Sequence, residues 1–171
     1  MRLRYFVYVL VLGLLIFLQA SWLRMVALWD VVPQLSLVYL VWLAHVEGTQ
    51  TAQLTGFIAG IFLDLFSGLP VGLSSFILAL TGFLFGLGKG KVFYDPVFVP
   101  MLMAFLSVLL KYILLYILGN IFALRIIESS IFNLKVLIEI LYTAVLAPLF
   151  FLIFTKVRNR FVRSYGGFEN G

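Results

Sequence analysis

The chain has 171 residues, 64% hydrophobic and 11% charged, with a net charge of +5 and no cysteine. Soluble domains average about 45–50% apolar and about 25% charged, so this composition excludes a water-soluble fold that buries its own apolar surface, and it excludes disulfide and thiolate chemistry. The basic excess follows the ends and loops of apolar segments, which points to orientation in a bilayer and away from nucleic acid.

Six apolar segments are predicted, all helical, in a single integral membrane domain spanning residues 1–171. The first, 5–23, reads YFVYVLVLGLLIFLQASWL and follows Arg2 and Arg4. Its apolar run exceeds the roughly 7–15 residues of a cleaved leader and has no clean small-x-small site, so it reads as a retained span. The second, 33–46, opens with Pro33, a residue suited to a first helical position, and stops at Gly48. It is short for a span, which implies tilt, burial by neighbours or partial re-entry.

The third segment, 50–66, and the fourth, 71–88, are separated by the turn Ser67-Gly68-Leu69-Pro70. A loop from Lys89 to Pro96 leads to the fifth, 97–118, and the sixth covers 133–155. Between these last two, GNIFALRIIESSIFN is too polar to span and reads as an interfacial segment. A short basic tail, 156–171, ends the chain. No Gly/Ser linker, low-complexity tract or internal repeat divides the sequence.

With six spans and an N-terminus inside, Arg2, Arg4, Lys89, Lys91, Lys156, Arg158, Arg160 and Arg163 are cytoplasmic. Only Arg24, Arg125 and Lys135 fall at the outer side. That asymmetry fits the positive-inside rule and places both termini in the cytoplasm. Lys156, Arg158, Arg160 and Arg163 are expected to contact anionic lipid headgroups. Trp22, Trp29, Trp42, Tyr94 and Tyr165 are expected to anchor the interfaces.

Small residues mark two close-packing faces, Gly56-x-x-x-Gly60 in the third span and Gly82-x-x-x-Gly86 in the fourth. In lipid, helices associate by close packing and hydrogen bonds more than by hydrophobicity. These glycines therefore serve either internal packing of the two spans or docking of a partner's helix.

Three ionisable residues, Asp64, Lys111 and Glu139, fall deep inside spans. At 1.5 Å per residue, Asp64 and Lys111 lie roughly 21 Å from the inner boundary of their helices, and Glu139 about 9 Å below the outer one. All three thus share one level within about one helical turn. A charge at mid-bilayer costs about 2.5–3.5 kcal/mol on insertion scales and so needs a partner or a cavity. Lys111 is expected to pair with Glu139, with Asp64 either joining them or capping the turn that follows its own helix. The buried polar cluster Asp64, Lys111 and Glu139 then fixes helix register, holds a small ligand or proton, or meets a partner subunit.

His45, the one histidine, reads as interfacial at a helix end, because no cysteine or carboxylate cluster accompanies it. Ser74 and Ser75 lack a G-x-S-x-G setting, and the glycines around Lys89 lack P-loop order. No enzyme, cofactor or metal is expected.

The stretch from Asp64 to Gly72, DLFSGLPVG, resembles the D-L-x-S-G-x-P-x-G signature of the rod shape-determining protein MreD family, with Ser67, Gly68, Pro70 and Gly72 as its turn. The basic start, the first span ending near Leu18-Gln19, the glycine-rich third span, the length and the basic tail agree as well. Gln34 departs from the family, whose second span often opens P-D-L. The resemblance implies a non-enzymatic scaffold of the bacterial cell-elongation machinery in the inner membrane, supporting rod shape and lateral peptidoglycan synthesis. It implies binding of MreC, and through MreC a link to RodA, a class B penicillin-binding protein and MreB. It also implies an all-α architecture similar to the six-helix substrate-binding subunits of energy-coupling-factor transporters. Self-association is left open. The alternative function is that of such a transporter subunit, which would retain a small ligand on purification where a scaffold would retain a single-span protein.

Overall fold

In a computed structural model of the chain, residues 2–21, 31–67, 70–90, 95, 97–122 and 134–165 are described. These residues form six helices and no extended strand: α1 (Arg2–Ser21), α2 (Leu35–Glu47), α3 (Thr49–Ser67), α4 (Leu73–Gly86), α5 (Phe98–Ile121) and α6 (Leu134–Tyr165). The helix Phe98–Ile121 and the stretch Leu134–Arg160 are each long and apolar enough to cross a membrane.

The helix breaks follow from local chemistry. Gly48 ends α2 with φ +93°, a conformation that side-chain-bearing residues rarely adopt, and its N–H donates to Ala44 O. Gly72, at φ +103°, opens α4 in the left-handed region and offers no side-chain cap of its own. Pro33 stands before the second helix, which begins two residues later at Leu35. The Pro33 carbonyl accepts the Leu35 N–H.

The core is built around α2. Its stretch LSLVYLVWLA has no polar face, and Leu35 through Ala44 are all buried. A helix apolar on every side belongs inside a bundle, and α2 touches each of the other five. Its 13 residues span about 20 Å, short of a bilayer's roughly 30 Å core. Burial by neighbours thus explains the short second segment.

Two expectations are corrected here. Trp42 sits in the core at 3% exposure, its ring tilted against Tyr39 and Phe154 and its Nε1 donating to Thr155 Oγ1 at 3.0 Å. It is therefore no interfacial anchor. The basic tail begins as helix, since α6 continues to Tyr165. And α5 runs on to Ile121, absorbing the start of the segment read as interfacial. Trp22, Trp29, Tyr94 and residues 123–133 lie outside the described residues, as does the Tyr165 side chain.

Candidate functional site

At one end of the bundle, the close of α3 meets the start of α4. Asp64 is 2% exposed and spends both carboxylate oxygens on the first turn of α4. Its Oδ1 accepts from Ser74 N at 2.8 Å, and Oδ2 accepts from Gly72 N at 2.9 Å, Ser75 N at 3.2 Å and Ser75 Oγ at 2.7 Å. The first N–H groups of a helix have no intrahelical acceptor and prefer an anion. Gly72 cannot supply one, so Asp64 caps α4 from the preceding helix. Within the signature turn, the Pro70 carbonyl accepts Leu73 N at 3.2 Å. Ser67 closes α3, while its side chain and Gly68 fall outside the described residues.

Below this cap the two helices run together along their glycines. A Cβ on Gly56 would stand 2.7 Å from Leu78 O, and one on Gly82 would stand 2.7 Å from Ala52 C. One on Gly60 would overlap the Ser75 Cα, and one on Gly86 the Thr49 Cα. Every one of those neighbours is backbone. All four glycines therefore face α3–α4 packing, the first of the two uses open to them. What α3 leaves open is the opposite stripe, where Leu54, Phe57, Ile58, Phe62, Leu65 and Phe66 are exposed.

Lys111 of α5 and Glu139 of α6 form an ion pair, Nζ to Oε1, at 3.2 Å, with side chains 20% and 13% exposed. Tyr112 Oη donates to the other carboxylate oxygen at 2.6 Å. Of the two places open to Asp64, the cap is filled. Lys111 and Ser74, a neighbour in that cap, line one cavity of about 410 Å³ between α1 and α5.

The far end holds a junction that sequence reading missed. Glu47, at the close of α2, accepts from Tyr8 Oη at 2.9 Å and pairs with Arg158 Nη2 at 3.4 Å, both through Oε1. Its backbone carbonyl accepts from Lys89 Nζ at 2.8 Å. Thus α1, the loop after α4, and α6 all meet the end of α2. The signal was present: an acid at a helix C-terminus opposes the dipole and calls for cations. Arg158 consequently turns inward, unlike Lys156 and Arg160, which are exposed. The Arg163 side chain is outside the described residues. His45 has its Nδ1 buried without a hydrogen-bond partner among the described residues.

Compared with known proteins, residues 1–157 match the family model described as rod shape-determining protein MreD. No curated protein and no solved structure matches the chain.

Proposed function

The chain belongs to the rod shape-determining protein MreD family, and from that membership and the geometry above we propose that it is a membrane scaffold of the bacterial elongation machinery. In this reading it is a six-span, non-enzymatic protein of the inner membrane with both termini cytoplasmic, folded like the substrate-binding subunits of energy-coupling-factor transporters. Family membership favours shape determination over the transporter alternative. The partner is MreC, which links the scaffold to RodA, a class B penicillin-binding protein and MreB, and so to lateral peptidoglycan synthesis.

One observation supports a specific docking surface. The glycine faces are consumed within the α3–α4 hairpin, while the aromatic stripe of α3 is left exposed by the described helices of the bundle. A hairpin capped by Asp64 and packed backbone to backbone presents that stripe in one fixed shape, and preorganisation lowers the cost of docking. We assign Phe57, Phe62 and Phe66 to the contact with a single membrane-spanning helix of MreC. Lys156, Arg160 and Arg163 are assigned to anionic lipid.

Co-purification tests this role. The full chain, extracted gently from membranes of a rod-shaped host, is expected to bring down MreC, and its depletion is expected to round the cells. Recovery of a folded chain without MreC, or depletion that leaves rods intact, contradicts it.

A further inference from the structure

The cavity between α1 and α5 at the Asp64 end has a makeup that the scaffold role leaves unused. Its volume, about 410 Å³, falls in the about 300–1,000 Å³ range of small-molecule sites. The lining joins apolar Leu63, Ile77 and Leu115 to Ser36, Ser74 and Lys111, with the amides Gln19 and Gln34 also at its wall. Both serines are buried. Lys111 is the charged residue among those lining it.

An ammonium group has three donors. Among the described residues, Lys111 uses one, on Glu139 Oε1 at 3.2 Å. Glu139 does not rest on Lys111 alone, since Tyr112 Oη holds its second oxygen. Asp64, the other carboxylate nearby, is committed to Gly72, Ser74 and Ser75. Lys111 Nζ also lies 5.0 Å from the centroid of the Tyr112 ring, which leaves a donor to turn toward the cavity while its ion pair stays formed.

These facts select the ligand class. A cation would meet Lys111 at close range with no unengaged carboxylate to offset it. A hydrocarbon would leave the ammonium donors unmet in an apolar setting, which costs free energy. A polar sugar would set its hydroxyls against Leu63, Ile77 and Leu115. We propose that the cavity binds a small anionic amphiphile, its carboxylate or phosphate head at Lys111 and Ser36 and its alkyl body against Leu63, Ile77 and Leu115. Such a ligand bridges α2, α3, α4 and α5 beside the turn that Asp64 holds.

Photolabelling of the full chain in phosphatidylcholine nanodiscs tests this. Diazirine-bearing decanoate is expected to label peptides carrying Leu63, Ile77 or Leu115, and excess unlabelled decanoate to suppress that labelling. Lys111→Gln is expected to reduce labelling about tenfold, as loss of a charge-assisted contact implies. Ser36→Leu, which fills the cavity and leaves the Lys111–Glu139 pair and the Asp64 cap in place, is expected to reduce it comparably and decides the matter if Lys111→Gln does not fold. Suppression by added phosphatidylglycerol would assign the site to the bilayer's own anionic lipid, and its absence to a free amphiphile; both support the anionic head. Equal labelling by the matching decanol or decylamine probe, or labelling spread over Leu106 and Leu141 and unchanged in both variants, overturns the proposal. Trapping of a partner on α3 is unaffected by either result.

Discussion

Gly60 of α3 lies against the backbone of Ser75 in α4, so close that a methyl group on Gly60 would overlap the Ser75 Cα. Backbone cannot rotate away as a side chain can, so any larger residue must push the helices apart. Gly60→Ala is expected to lower stability by about 2 kcal/mol, within the usual cost of overpacking. Gly13 supplies the control, with nothing within 4 Å of its added Cβ. Gly13→Ala is expected to be neutral or to stabilise by up to about 1 kcal/mol through helix propensity. Thermal unfolding of both variants in one detergent checks the contrast.

Asp64 is expected to tolerate Asn better than Leu. With an amide oxygen in the place of Oδ2, the Asp64→Asn side chain would still accept from Gly72 N, Ser75 N and Ser75 Oγ while losing the bond from Ser74 N. Leucine loses all four, and each buried donor left unpaired costs about 1–3 kcal/mol. The yield of folded protein after extraction measures the difference. Equal losses would mean that the negative charge itself is required.

Much of this was legible in the sequence, and the misses have physical causes. Counting helical rise placed Lys111 and Glu139 at one level, and the structure holds them as an ion pair. The tight turn after Asp64 pointed to a cap because a carboxylate beside free N–H groups has an obvious use. Glycine spacing, by contrast, says that some backbone comes close and never whose, so internal packing and partner docking looked alike. Trp42 was misplaced because tryptophan suits both an interface and a core, and only the burial of α2 on all sides decides between them. Arg158 was grouped with the other tail cations because Glu47 is far away in sequence.

The Lys111–Glu139 pair is expected to show coupling. Removing either partner leaves the other half-buried, at a cost below the about 3–5 kcal/mol of a fully buried broken pair. Lys111→Met combined with Glu139→Leu is expected to cost less than the sum of the singles, by about 1 kcal/mol or more. Chemical or thermal unfolding of the four proteins in the cycle measures this. Additive losses would mean that the two charges stabilise the bundle independently.

At the other end, Glu47→Gln keeps an acceptor for Tyr8 and removes the charge facing Arg158. With side chains 34% and 15% exposed, this ion pair is partly open to solvent. Its loss is expected to cost about 0.5–1 kcal/mol and to flatten the dependence of melting temperature on salt. A melting series across salt concentrations checks both.

Disulfide trapping on α3 tests the docking surface most directly, and the absence of native cysteine leaves the background clean. Single cysteines at Phe57 and Phe62 on α3, and at Leu141 and Val145 on α6, are paired with single cysteines along the membrane helix of MreC. Trapping is expected from the α3 positions, in steps of helical periodicity along the partner, and not from α6. Trapping from α6 alone, or from neither helix while MreC still co-purifies, would contradict the assignment of the α3 stripe as the docking face.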